Sequence, residues 1–332
     1  MNADSIPFFR SLTRRALAVA GLAGLALAVT LPAAAQGNPP PLRIGYQKSA
    51  SLLALQKSQG TLEKRLAAQN VAVQWVEFPA GPQLLEGLNV GSVDVGFVGE
   101  APPIFAQAAG ANFVYIGHDP AAPEAEAIVV PKDSALKSLA DLRGKKVVLN
   151  KGSNVHYLLL KALEKAGLKY SDIQPVFLPP ADARAAFERG AVDAWAIWDP
   201  FLAAVQQQTG ARILADGRGL VNNFAYYLAE RTYADKHPQV IRTLFDDTQE
   251  RGRWLKANIP QAAALIAPLQ GLDVAVVEQS LKRYQFGVVP LTPAVAAEQQ
   301  KIADAFAELK LIPRPIRISE ALPGARTTAQ AN

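Results

Sequence analysis

The sequence predicts an α/β protein of two lobes, each a mainly parallel sheet flanked by helices. Three observations carry that expectation. Short apolar, β-branched runs alternate with helical patterns from Leu42 to Thr209, which is the order of βαβ units. Three turns then return in the same order about a hundred residues later. Gly91-Ser92-Val93-Asp94 is echoed by Gly190-Ala191-Val192-Asp193, Gly99-Glu100 by Trp198-Asp199, and Gly110-Ala111 by Gly210-Ala211. Finally, half of the 332 residues are hydrophobic, enough to bury a large core divided between two lobes.

In chain order, residues 42–46 read as the first strand, and Gln47-Lys48-Ser49-Ala50-Ser51 turns it into a helix ending near Leu66. Strands follow over 71–78, 93–98 and 113–116, separated by helices that begin at Pro79-Ala80-Gly81-Pro82 and Gly99-Glu100-Ala101-Pro102-Pro103. In the second lobe the strands fall at 147–149, 173–178 and 192–197, and their helices end near Gly167, Arg189 and Thr209. Residues 127–130 and 224–228 lie where the chain leaves and re-enters the first lobe and are the hinge candidates. After Tyr233 the pattern is helical, over 238–256, 260–269, 274–284 and 293–309, with Pro238, Pro260 and Pro293 in first turns, where a missing N–H is tolerated. These helices are expected on the first lobe. The resulting division is 42–126 and 228–322 for the first lobe, 127–227 for the second, and a disordered tail over 323–332.

The N-terminus reads as an export signal. Arg14-Arg15 precedes an apolar run over 16–31, and Ala33-Ala34-Ala35 offers small residues for cleavage after Ala35, giving a signal peptide over 1–35. That run is short for a membrane span and is broken by Gly21 and Gly24. The arginine pair fits the Sec route and also hints at a twin-arginine signal. Net charge is +5 for the whole chain and about +3 without the leader, too mild for nucleic acid. The absence of cysteine excludes disulfides, thiolate metal sites, thiol catalysis and a lipid-attachment cysteine.

One stretch is suited to hold an anion. Val147 to Leu149 is a β-branched run, Gly152 permits a sharp turn, and Ser153 is an N-cap. Val155, Leu158, Leu159, Ala162, Leu163 and Ala166 then recur at helical spacing, with Gly167 closing the helix. Its first turn leaves the N–H groups of about residues 154 to 156 unpaired at the positive end of the helix dipole. If the sheets are parallel, the turns at Gln47 to Ser51, Gly99-Glu100, Gly152 to His156 and Trp198-Asp199 share the ligand-binding ends of the strands. Neutral donors from two lobes and an apolar wall at Trp198 describe a site for an anion with a nonpolar tail.

Plainer roles compete for the same residues. Glu100 and Asp199 stand where N-caps belong, and capping is the favoured role for both. His156 also reads as a surface or hydrogen-bonded histidine, and Trp195 as core. Only His118, His156 and His237 are present, with no H-E-x-x-H, G-x-S-x-G, P-loop or dinucleotide fingerprint, so neither catalysis nor a metal or other cofactor is expected.

Leu42-Arg43-Ile44-Gly45-Tyr46-Gln47-Lys48, Trp75-Val76-Glu77-Phe78-Pro79-Ala80-Gly81-Pro82-Gln83, Pro102-Pro103-Ile104-Phe105-Ala106-Gln107-Ala108-Ala109-Gly110, Pro180-Ala181-Asp182-Ala183-Arg184-Ala185-Ala186-Phe187 and Val192-Asp193-Ala194-Trp195-Ala196-Ile197-Trp198-Asp199-Pro200 resemble the aliphatic sulfonate-binding proteins of ABC importers. The resemblance spans about residues 42–318. It implies a type II periplasmic binding protein, a monomer that hands alkanesulfonates to an inner-membrane permease driven by a cytoplasmic ATPase. Ligand contacts carried over by motif are Gln47, Gly99, Glu100, Ser153, Asn154, His156, Trp198 and Asp199. Asn154 and Val155 replace the small hydroxyl residues frequent in the family, and Glu100 stands for a shorter aspartate, so the preferred sulfonate is open. Taurine and nitrate binders share the architecture, with Glu100 a possible partner for the taurine ammonium. Enzymes related to thiamine pyrimidine synthesis share it too, but need histidine and metal-binding residues that are scarce here.

Overall fold

A computed structural model describes residues 40–325. The signal-peptide expectation for 1–35 and the last part of the expected tail, 326–332, lie outside the described residues. The first half of the chain sets down β1 (Leu42–Tyr46), α1 (Ser51–Gln59), α2 (Thr61–Ala67), β2 (Val73–Glu77), α3 (Gly81–Asn89), β3 (Val95–Gly99), α4 (Ala101–Ala108) and β4 (Phe113–Asp119). It continues through β5 (Glu126–Val130), β6 (Lys146–Leu149), α5 (Asn154–Lys165), β7 (Gln174–Phe177), α6 (Pro180–Glu188), β8 (Ala194–Trp198), α7 (Phe201–Thr209) and β9 (Arg212–Asp216). The remainder comprises β10 (Ala225–Glu230), α8 (Arg231–Lys236), α9 (Pro238–Ala257), α10 (Ile259–Gln270), α11 (Val274–Leu281) and α12 (Pro293–Glu308).

The strands make two five-stranded sheets, ordered β2-β1-β3-β10-β4 and β7-β6-β8-β5-β9. Each has one antiparallel member, β10 in the first and β5 in the second, and the others run parallel. The two lobes therefore repeat one topology. The echoed aspartates do the same job in both. Asp94 Oδ2 accepts from Arg43 N at 2.8 Å at the start of β1, and Asp193 Oδ2 from Lys146 N at 2.7 Å at the start of β6. Each carboxylate satisfies a strand-end donor that the ladder leaves over.

The expected hinge segments prove to be strands. Residues 127–130 lie in β5 and 224–228 overlap β10, each flanked by two strands of its sheet. The chain passes between the sheets just outside them, over 120–125 and 217–224. An apolar run with a neighbour on both sides is held by two hydrogen-bond ladders and does not bend as a hinge. The first helix also differs from expectation: Gly60, at φ 60°, ends α1 and opens α2, a left-handed step that glycine takes at little cost. Strand β9 is not marked by the sequence pattern. It is a half-buried edge strand, paired among the described residues with β5 alone, so its apolar signal is weak.

The second lobe's core gathers Val147, Val148, Leu158, Leu159 and Trp195 around its sheet. In the first lobe, α3, α4 and α12 cover one face of the sheet, with Leu84, Ile104 and Phe306 fully buried, and α2 and α9 cover the other through Leu62, Leu66 and Leu244. Helix α10 packs on α1 through Ile266 and Leu55. Most C-terminal helices thus sit on the first lobe as expected. Helix α11 also reaches the second lobe, where Val276 packs against Ala203 and Ala204 of α7, whose small side chains admit a close approach. The first residues of the expected tail are also held, since Ala325 O accepts from the Arg231 guanidinium at 3.1 Å.

Candidate ligand-binding site

The carboxyl ends of the parallel strands face each other across a narrow cavity. Its volume is about 30 Å³, and its wall includes Gln47, Gly99, Ser153, Asn154 and Trp198. Gln47 follows β1 and Gly99 ends β3 in the first lobe, while Ser153 and Asn154 open α5 and Trp198 ends β8 in the second. Five of the eight residues expected at the site are therefore brought together. Gln47 is held by its Nε2 donating to Phe97 O at 3.2 Å. Gly99 lets the lobes approach, because a Cβ there would stand 3.0 Å from the Asn154 side chain. Trp198 closes β8 and supplies the apolar wall.

Ser153 is the N-cap of α5, in extended conformation and buried. Its hydroxyl donates to Asn150 O at 2.7 Å, folding the turn. The N–H of His156 is used locally, donating to Ser153 O at 3.0 Å, so the free donors are fewer than the sequence suggested. Among the described residues, the Asn154 and Val155 N–H groups have no acceptor. They carry the positive end of the α5 dipole into the gap. The Asn154 amide is engaged elsewhere: Nδ2 donates to Glu126 Oε2 and, at 3.0 Å, to Asn223 Oδ1.

Three expected contacts stand away from the cavity wall. Glu100 is fully buried and does not cap α4. Its Oε2 accepts from Phe224 N at 2.9 Å, while its backbone carbonyl accepts from Gln299 Nε2 at 2.6 Å. Burial pushes its carboxyl up to about 8. Burial, aided by the nearby Glu100 carboxyl, likewise raises Glu126 well above the usual range. His156 lies on the inner face of α5, fully buried beside Phe105 and Phe306. One ring nitrogen faces the Gly152 N–H at 3.3 Å and the other the Tyr170 hydroxyl at 3.1 Å. Burial, with Lys151 nearby, lowers its pKa to about 4, so it is neutral near pH 7. Asp199 precedes the N-cap, Pro200, yet still serves the first turn of α7, accepting from Ala203 N at 2.9 Å, and it pairs with Arg283 at 3.0 Å. Burial outweighs that ion pair and sets its pKa at about 6.

The cavity also has walls that the sequence reading missed. Asp119 ends β4, Pro120 and Ala122 come from one crossover and Asn223 from the other, while Tyr284 arrives from beyond α11. The expected hinges at 127–130 and 224–228 overlook those crossover residues, although Pro120 and Asn222-Asn223 are turn signals. Nothing local marks Tyr284. Asp119 is buried with Oδ1 unpartnered, and burial holds its carboxyl well above the usual range. Among the described residues, no cluster of three or more His, Asp or Glu side chains is arranged to hold a metal ion.

The NMT1-like family pattern matches residues 35–269. The chain belongs to the NMT1-like family. This NMT1-like protein is 48% identical over 300 residues to an Escherichia coli K12 protein named as aliphatic sulfonates-binding, across 90% of this chain and 93% of that one. The solved alkanesulfonate-binding protein SsuA of Xanthomonas axonopodis pv. citri, bound to MOPS, superposes with a TM-score of 0.82 at 44% identity, covering 86% of this chain and 98% of that one. The periplasmic aliphatic sulphonate binding protein SsuA of Escherichia coli gives 0.78 at 47%, covering 86% and 97%. A taurine-binding periplasmic protein of Escherichia coli K12 is more distant, 26% identical over 241 residues, 69% of this chain and 72% of that one. Within its family the chain thus groups with the aliphatic sulfonate-binding proteins, which are binding proteins rather than enzymes.

Proposed function

We propose that this NMT1-like protein is the periplasmic solute-binding component of an ABC importer and carries aliphatic sulfonates between its two lobes to a membrane permease and its cytoplasmic ATPase. The observation that carries the reading is the meeting of the α5 N-terminus with Trp198 in an interlobe cavity. Two free N–H groups at a helix N-terminus suit an oxyanion without a paired cation, and the indole suits the first carbons of a tail. The kinship with sulfonate-binding proteins, at 44 to 48% identity, supports the same ligand class. Export to the periplasm is supported by the Arg14-Arg15 leader and by a relative described as periplasmic.

Under this reading Gln47, Gly99, Ser153, Asn154 and Trp198 shape the ligand site, while Glu100, His156 and Asp199 support it from behind. Should an aminosulfonate such as taurine be accepted, the carboxyl that meets its ammonium is Asp119, which lies on the cavity wall, rather than Glu100. Calorimetric titration of refolded, ligand-free protein against alkanesulfonates, taurine, sulfate and nitrate tests the reading. One-to-one binding of alkanesulfonates with weaker binding of the others is expected. Preference for nitrate or sulfate would overturn it.

A further inference from the structure

Helix α11 has two faces with different partners. Val277 and Leu281, one turn apart, are buried against α1 and α10 of the first lobe. Val276, Gln279 and Arg283, at spacings of three and four, share a neighbouring face and meet α7 of the second lobe. There Val276 packs on Ala203 and Ala204. The Gln207 amide donates to Gln279 Oε1 at 2.5 Å and to Ala275 O at 3.3 Å, and the Arg283 guanidinium donates to Gln206 Oε1 at 2.5 Å and pairs with Asp199 at 3.0 Å. The start of α7 thus faces the end of α11 and its end faces the start, so the two helices run antiparallel across the boundary between the lobes.

The two ends of this contact differ. The inner end is anchored beside a crossover, where the Asp199 N–H donates to Ala125 O at 2.8 Å, and its carboxylate is fully buried against Arg283. Separating that pair would strand a charge, which is costly. The outer end, at Gln207, lies six residues past the start of α7, about 9 Å further along its axis. Gln207 is exposed and its partners are uncharged, so water replaces its hydrogen bonds at small cost when the helices separate. Val276 is buried in the contact, and covering it favours the closed arrangement. A rotation of the second lobe about the crossovers displaces the outer end more than the inner one. None of Val276, Gln279, Ala203, Ala204 or Gln207 borders the ligand cavity.

We infer that the α7–α11 contact is a clasp between the lobes: the Arg283–Asp199 pair is its pivot, and its outer end forms only when the lobes close, so that it tunes affinity without touching the ligand. A contact made only in the closed state raises the fraction of binding-competent protein, and the apparent dissociation constant falls in inverse proportion to that fraction. The pivot also adjoins the site, since the hydroxyl of Tyr284, a cavity residue, donates to Asp199 O at 3.4 Å. The clasp concerns the motion of the lobes and holds for any anion the cavity accepts.

Binding and distance measurements on the purified chain test the clasp. Because the chain has no cysteine, spin labels at Gln208→Cys and Asp273→Cys, both exposed positions, report on the outer end alone by pulsed electron resonance. Their separation should be shorter in protein saturated with butanesulfonate than in ligand-free protein. Gln207→Lys with Gln279→Lys places like charges across the contact, and Gln207→Glu with Gln279→Lys places opposite ones. Calorimetry should find butanesulfonate bound roughly three- to tenfold more weakly by the like-charged pair than by the opposite one, with matching circular dichroism spectra as the control for folding. Equal affinities, or one label distance with and without ligand, would overturn the clasp. If butanesulfonate is not bound at all, the sulfonate reading falls and the ligand-free label distances decide the clasp: longer distances in the like-charged pair support it, and identical ones overturn it.

Discussion

Ser153 and His156 stand three residues apart and divide the work of the α5 turn. Ser153 lines the cavity and its hydroxyl proton is held by Asn150 O, so Ser153→Ala should loosen the turn that aims the Asn154 and Val155 N–H groups and weaken sulfonate binding by about 1 kcal/mol. A sulfonate stays ionised and the donors are neutral, so affinity measured by titration should hold level between about pH 5 and 8. A loss on raising the pH that disappears in Asp119→Asn would instead identify ionisation of that cavity carboxyl. His156 belongs to folding. Its folded pKa of about 4 lies below the unfolded 6.5, so the unfolded chain binds more protons between those values. Stability is therefore fully present above the unfolded pKa and falls as pH drops toward 4, by up to about 3 kcal/mol. Thermal melts of His156→Phe, which keeps a ring in place, should show a flatter acid limb with sulfonate affinity little changed.

Between elements, the meeting of β3 with α5 and of β8 with the segment after α11 decides how the lobes fit. Gly99 leaves no space for a side chain beside Asn154. Gly99→Val should therefore hold the lobes apart and weaken binding by at least tenfold, a loss of about 1.4 kcal/mol or more, with both sheets retained by circular dichroism. Arg283 ties the end of β8 to the helical array through the fully buried Asp199. Removing the guanidinium strands a carboxylate, a change that typically costs about 3 to 5 kcal/mol. For Arg283→Ala the penalty should be largest near pH 8. It should shrink toward pH 5, because Asp199, already raised to about 6 with its partner present, rises further without it and takes up a proton. Denaturant unfolding at the two pH values measures the difference, and an equal loss at both would remove the ion pair as its cause.

For the whole molecule, an inner cavity of about 30 Å³ between two lobes leaves little room for a head group until they part. Bending is expected at the crossovers over 120–125 and 217–224, which lie outside both sheets and contribute Pro120, Ala122 and Asn223 to the cavity wall. Ligand binding then couples to domain closure through contacts made in only one state. Small-angle scattering of ligand-free protein should show a larger radius of gyration than protein saturated with an alkanesulfonate. Identical profiles would indicate a rigid cleft.

The sequence by itself determined the α/β class, the repeated lobes, nearly every helix and the strand-turn-helix at Ser153 proposed to hold the anion. All of these are written in local periodicity and turn chemistry: Val147 to Leu149, Gly152 and the spaced leucines of α5 act within one βα unit. It also paired Asp94 with Asp193, whose carboxylates anchor corresponding strand ends, and the echo of Gly110-Ala111 in Gly210-Ala211 held an unused signal for β9. Only the tertiary structure decided which way side chains at the shared turns point. Ser153 and His156 lie on one helix turn, yet one faces the cavity and the other the core beside Phe306. The route of the crossovers and the arrival of Tyr284 were likewise decided by packing between distant segments. A hydrophobic pattern records that a residue is buried, but a cleft is formed by surfaces from separate parts of the chain, and their meeting leaves no period in any one of them.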